Sequence, residues 1–250
     1  MAKKTLLFSN IVGDVMQNYA NISFNKFMEE YLIENIAPNS KLIFIDAPGL
    51  GGEDNCLPNM LKCFTKIGIE FADVIKLDYD STKDAVNAIP ETDNKKVYFL
   101  MGGNPLAQME IIKKLDLIDT IREYDGLVIG FCAGAINLSK YSIITSDEDF
   151  DKPQSYNGIN RVSIIVEPHY NDNNDKKRNT EIKEFAKKYN ETIYAIPDES
   201  IIIIDDDDLK EVGKIYHFWY KSSSYTVKTW LSELHHFCWQ KWWFMVIYTV

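Results

Sequence analysis

Short apolar runs, with few polar interruptions, recur through the first half of the chain at 5–9, 41–47, 71–77, 96–101 and 127–131. Runs of this length without strict alternation fit strands buried on both faces. Between them apolar positions take helical spacing: Phe24, Phe27, Met28, Tyr31 and Leu32 share one face, and Leu106, Met109, Ile112 and Leu115 follow at intervals of three. Strand and helix in alternation predict an α/β fold, a three-layer sandwich with a mostly parallel central sheet.

After Tyr141 the order changes. Runs at 162–166, 192–196 and 201–204 surround one helical stretch at about 179–189, which predicts a mixed or antiparallel extension of the same sheet. The four acidic residues at 205–208 read as a solvated turn, because consecutive side chains do not converge on one ion. The last thirty residues differ in kind: all five tryptophans fall between Trp219 and Trp243, and residues 221–250 hold three lysines against one glutamate in a chain of net charge −10. The expected organisation is therefore an α/β hydrolase domain at 1–220 and an atypical Trp-rich tail at 221–250. That tail reads either as a docked segment or partner surface, or as a sequence not selected for this fold. A membrane anchor is a weaker third reading, because the apolar stretch is short and Gln240 and Lys241 interrupt it.

At 250 residues the chain is long enough for one sizeable core, and 46% hydrophobic residues exclude a disordered chain. The negative charge argues against nucleic acid as a partner, since that binding is carried by clustered Lys and Arg. A small peptide or amide is the expected ligand, with no membrane partner and with a homodimer open as the assembly. Cys56, Cys63, Cys132 and Cys238 lie far apart with no CxxC pair, so neither a zinc cage nor a disulfide framework is suggested, and no metal or other cofactor is expected. With no secretion-type apolar segment at the start, the reading is cytoplasmic.

The candidate chemistry centres on "VIGFCAGAINL" at 128–138. A strand ending at Phe131, then Cys132, then Ala133-Gly134-Ala135 opening a helix, has the form G-x-Cys-x-G of a nucleophile elbow. Small residues at Gly130 and Gly134 would let so sharp a turn clear its neighbours. The sulfur would stand at a helix N-terminus, which favours a thiolate, and the Ala133 N–H would face a substrate oxyanion. Equally open from this motif alone is a buried structural cysteine in a tight strand-helix turn.

A nucleophile needs a base. His217, His235 and His236 lie in or near the anomalous tail, leaving His169 in "IIVEPHYND", just past an apolar run. Carboxylates to orient it are available at Asp147, Glu148, Asp149 and Asp151. A second loop, "FLMGGNPLAQ", also follows a strand, and its Gly103 N–H could complete an oxyanion hole with Ala133, or the loop could be a plain glycine turn. It lacks the motifs of dinucleotide and phosphate loops.

Taken together, GGN at 102–104, "DTIREYDGLVIGFCAGA" at 119–135, "ITSDED" at 144–149 and "EPHY" at 167–170 resemble the dipeptidase E and cyanophycinase family of serine peptidases, from about Lys3 to Trp219. The resemblance implies a flavodoxin-like, class I glutamine amidotransferase-like fold and peptide hydrolysis through an acyl-enzyme. It places Cys132 at the serine nucleophile, His169 at the base and Asp147 at the acid. Gly103 and Ala133 fall at the oxyanion donors. Asn104 and Arg178 fall at substrate contacts, the arginine matching one that binds the acidic side of Asp-X dipeptides. The chain departs from the family in having cysteine for serine and Pro105 where threonine is usual.

The expected activity is hydrolysis of small peptides, with Asp-X dipeptides among the candidates. A cysteine glutaminase is the nearest alternative, but Tyr170 and Asn171 follow His169 where a His-x-Glu pair would be wanted. A ligand-binding or redox-sensing protein with a reactive thiol is the alternative of another class.

Overall fold

The computed structural model describes residues 3–11, 23–48, 56–87, 89, 95–171, 175–220 and 227–231. Strand and helix alternate first: β1 (Lys4–Phe8), α1 (Lys26–Asn35), β2 (Lys41–Ile45), α2 (Cys56–Lys66), β3 (Asp73–Leu77), α3 (Lys83–Asn87), β4 (Lys96–Leu100), α4 (Pro105–Lys114), α5 (Ile118–Glu123), β5 (Leu127–Phe131) and α6 (Ala133–Leu138). Strands then dominate: β6 (Tyr141–Ile144), β7 (Gln154–Asn157), β8 (Ile165–Glu167), α7 (Lys176–Tyr189), β9 (Ile193–Ala195), β10 (Ile201–Asp205), β11 (Asp208–Val212), β12 (Lys214–Phe218) and β13 (Val227–Leu231).

Among the described residues the larger sheet has the order β11-β10-β1-β5-β4-β2-β3. From β1 to β3 its strands are parallel, and β10 and β11 close one edge antiparallel. Successive residues of each strand point to opposite faces. Leu6, Phe8, Leu42, Phe44, Phe99 and Ile129 therefore meet Met28, Leu32, Met60 and Phe64 of α1 and α2 on one side. On the other side Leu7, Ile43, Ile45, Leu100 and Val128 meet Met109, Ile112, Ile121 and Leu138 of α4, α5 and α6. This is the three-layer α/β sandwich with a mostly parallel core.

Helix starts follow from side-chain caps. Asn25 Oδ1 accepts from Met28 N–H, Asn104 accepts from Leu106 and Ala107 with Pro105 in the first turn, and Asp175 accepts from Arg178 N–H. Helix α7 stops at Asn190, whose φ of 52° is left-handed.

The second half corrects one expectation. Of the three later runs only 201–204 joins the large sheet, as β10. That strand takes the free edge of β1, so β8 and β9 satisfy their backbones in a separate sheet of order β13-β12-β9-β8. Helix α7 covers it, with Ile182, Phe185 and Ala186 against Ile165, Ile193 and Phe218. The run at 162–166 becomes strand only from Ile165, because the Leu138 carbonyl takes the amides of Arg161 and Val162. The acidic stretch at 205–208 is the hairpin turn joining β10 to β11, with Asp206 at φ 53°. Of the Trp-rich tail, the backbone of β13 pairs antiparallel with β12, and the rest lies outside the described residues. No helix among the described residues is long and apolar enough to cross a membrane.

Candidate active site

Strand β5 ends at Phe131 and α6 begins at Ala133, so Cys132 alone makes the turn, at φ 48° and ψ −105°. A residue with a side chain occupies this region only under tertiary constraint, at a cost of about 1–3 kcal/mol. Its amide donates to Phe8 O at 2.9 Å, which carries the β1–β5 pairing one residue into the turn. A Cβ on Gly134 would lie 2.2 Å from Leu100 O, and one on Gly130 would lie 2.9 Å from the Ala135 backbone. Any larger residue at either position would push helix and strand apart. The thiol is partly exposed.

Strand β8 ends at Glu167, and after Pro168 the chain places His169 at φ 53°. Its Nδ1 lies 2.7 Å from Asp198 Oδ1, and the ring also interacts with the Cys132 thiol. Burial works against a charged imidazole here, but the hydrogen bond donated to Asp198 and then the influence of Cys132 outweigh it and push the His169 pKa up to about 10. Asp198 is held below the usual carboxylate range, first by its bond to His169 and further by Asn10 and the charge of Arg178. The Asn10 amide is 3.4 Å from Asp198 Oδ2.

Parallel pairing explains why these two side chains meet. Glu167 of β8 is in register with Ala195 of β9, and each strand runs through a proline, Pro168 or Pro197, into its polar residue. Tyr170 N–H donates to Ile196 O at 3.1 Å and Ile196 N–H to Glu167 O at 2.8 Å, tying the two strand exits together.

The carboxylate expected to orient His169 is corrected by this geometry. Asp147 instead closes its own turn, its Oδ1 accepting from the amides of Asp149 and Phe150, both at 2.9 Å. The order along the chain is cysteine, histidine, carboxylate, because the acid arrives on the strand paired with the one that carries the base. Asp198 was legible in outline: "TIYAIPDES" repeats the punctuation of "SIIVEPHYN", an apolar run followed by proline and a polar residue.

The GGN loop lies against the elbow, since a Cβ on Gly102 would fall 3.1 Å from Cys132 Cβ. Gly103 takes φ 134°, and a Cβ there would lie 2.0 Å from Ala47 O, so only glycine fits. Ala133 opens α6, where an N–H has no partner within the helix. Asn104, expected at the substrate, has its Oδ1 engaged in capping α4, at 3.0 Å from Leu106 N and 3.1 Å from Ala107 N. Behind both loops a buried amide chain joins α6 to α4. Asn137 Nδ2 donates to Pro105 O at 2.9 Å and Gln108 Oε1 at 3.1 Å, and Gln108 Nε2 donates to Met101 O at 2.8 Å and Ile45 O at 3.2 Å.

Arg178 does not reach out for a ligand. Its Nε and Nη2 donate to Glu167 Oε1 at 2.8 and 2.7 Å, Nη1 donates to His169 O at 2.8 Å, and Nη2 also donates to Pro168 O at 2.6 Å. Glu167 is buried and takes a further bond from Thr145 Oγ1 at 2.7 Å. Burial raises its carboxyl pKa, against the opposing charge of Arg178.

Comparison with known proteins gives a consistent picture. The model of peptidase family S51 matches residues 16–212. Peptidase E from Nostoc sp. is 26% identical over 234 residues, which covers 87% of this chain and 90% of that protein. A crystal structure of a putative peptidase E from Listeria monocytogenes superposes with a TM-score of 0.60 at 17% identity, over 85% of this chain and 98% of that one. A peptidase from an acI-B1 actinobacterium gives 0.59 at 17% identity, over 91% and 94%. At that identity the two structures speak for the fold.

Proposed function

This chain belongs to peptidase family S51, and from that premise we propose that it hydrolyses small peptides through an acyl-enzyme on Cys132, with His169 as proton carrier and Asp198 as the carboxylate that orients it. One observation carries the reading: the imidazole that Asp198 Oδ1 holds through Nδ1 at 2.7 Å also feels the Cys132 side chain at the elbow.

In the proposed reaction the sulfur, as thiolate, attacks the carbonyl carbon. The C–S bond forms as the carbonyl π pair moves onto oxygen, where the N–H groups of Gly103 and Ala133 receive it. The imidazolium gives its proton to the amide nitrogen, the C–N bond breaks, and the amine leaves. A water then attacks the thioester while neutral His169 takes its proton. Collapse releases the acid, and the thiolate returns beside the imidazolium. Asp198 holds the Nδ1 side of the ring throughout, which leaves Nε2 for the chemistry. Sulfur needs less activation than a serine hydroxyl, and an imidazole already charged at neutral pH is ready to protonate the leaving amine.

A panel of dipeptides, Asp-X and neutral, tests this with the wild type beside Cys132→Ala and His169→Ala. The alanine at 132 should abolish turnover, and the alanine at 169 should slow it by about 100-fold to 10,000-fold. Undiminished turnover in Cys132→Ala would overturn the mechanism.

A further inference from the structure

We propose that Arg178 is a positioning residue for His169, acting with Glu167 as a buried clamp on the backbone that carries the imidazole, and is not a binding site for a substrate carboxylate. The proposal rests on the reading of His169 as the proton carrier.

His169 sits at φ 53°, a conformation that a residue with a Cβ does not hold unaided. The two carbonyls on either side of its α-carbon, Pro168 O and His169 O, both accept from the one guanidinium. That guanidinium is fixed in turn by Glu167, whose side chain is 3% exposed. The next residue is pinned independently, with Tyr170 OH donating to Asn179 Oδ1 at 2.9 Å in the first turn of α7. The clamp thus converts the rigidity of α7 and β8 into a fixed direction for the ring.

Donor accounting excludes the other role. A guanidinium has five N–H bonds, and recognition of a carboxylate through two parallel bonds needs a free pair on one edge. Nε–H, both Nη2 hydrogens and one on Nη1 are engaged within the protein, which leaves a single donor. Its charge is also already matched by Glu167 and shared with Asp198. Selectivity for acidic substrates would therefore have to come from elsewhere.

The test uses Arg178→Met, Arg178→Lys and the double variant Glu167→Met/Arg178→Met in the full chain. Two readouts are taken: kcat and KM on Asp-X and neutral dipeptides, and the pH dependence of Cys132 alkylation by iodoacetamide, followed by mass analysis of the labelled peptide. The groups that face His169 are Cys132 and Asp198, with Glu167 beneath, so the alkylation profile reports how the ring sits among them. Arg178→Met should lower kcat by about 100-fold on both substrate types, leave their relative kcat/KM unchanged, and alter the alkylation profile. Lysine lacks the fork and should not restore either. The double variant removes the orphaned buried carboxylate, so it should melt closer to wild type than Arg178→Met while keeping the altered profile. A loss confined to KM for Asp-X, or a wild-type alkylation profile in the folded double variant, would overturn the clamp. Should the wild type fail to cleave any dipeptide, the proposed reaction falls, and the alkylation arm still decides the clamp.

Discussion

At Cys132 and His169 the chemistry depends on where one proton resides. An imidazole with a pKa of about 10 stays charged through neutral pH, the state in which the proposed reaction has His169 donate to a leaving amine. For the cysteine enzyme kcat/KM should therefore fall as the pH approaches about 10 and the imidazolium is lost. Cys132→Ser should behave oppositely. An uncharged hydroxyl needs a neutral base and removes the sulfur's share of the upward shift, so its smaller activity should climb with pH over the same range. Parallel pH profiles for the two enzymes would contradict this assignment. Stability follows the same sign: a pKa raised above the ordinary histidine value of about 6.5 stabilises the fold below that pH, and the contribution is lost as the pH rises through about 10. With 40% of the side chain exposed, solvent screening keeps that contribution small.

Elements, unlike single residues, were legible where one local rule decided them. The stretch "LVIGF" is apolar throughout and became β5 without a shift in bounds, and Asn104-Pro105 carries its own helix-start chemistry. Less visible was the pairing of β8 with β9, because strand partners are chosen by backbone groups that look alike at every residue. That hidden pairing is what brought Asp198 to His169 and left Asp147 to close a turn. Also invisible from spacing was the amide chain behind the elbow, since Asn137 and Gln108 read as ordinary helical positions. Both are fully buried and tie α6 to α4, the two helices whose first turns adjoin the candidate oxyanion donors. Asn137→Leu would strand Gln108 Oε1, Pro105 O and the Tyr156 hydroxyl, which lies 2.8 Å from Asn137 Oδ1. A loss of about 2–3 kcal/mol in denaturant unfolding is expected. A greater fall in kcat than in substrate affinity should accompany it, because the hole would widen before the pocket is lost. Unchanged unfolding would show that the chain is relaxed by water.

For the molecule as a whole, the family match ends at residue 212, before β12, and the tail that looked foreign by composition contributes β13 to the smaller sheet. Composition could mark that segment as different, but its pairing depends on an edge of β12 that nothing in the tail's own residues announces. The smaller sheet matters because the sulfur rides on one sheet and both its helpers ride on the other. Apolar packing of Val166, Ile196 and Ile215 against Leu7 and Ile202 joins the two, and among the described residues the polar bonds near the site include Ser9 Oγ donating to Ile196 O at 2.6 Å, Asn10 reaching Asp198, and Val166 N–H reaching Ser139 Oγ at 3.3 Å. In the proposed reaction, competence is thus a property of the junction between two sheets, and the smaller sheet, with its shorter strands, is the one that opens first. On gradual warming, turnover should vanish several degrees below the cooperative melting of the large sheet and return on cooling, as though the enzyme carried a reversible thermal fuse. Coincident loss of activity and of amide-exchange protection in β1 and β5 would mean that the two halves come apart as one.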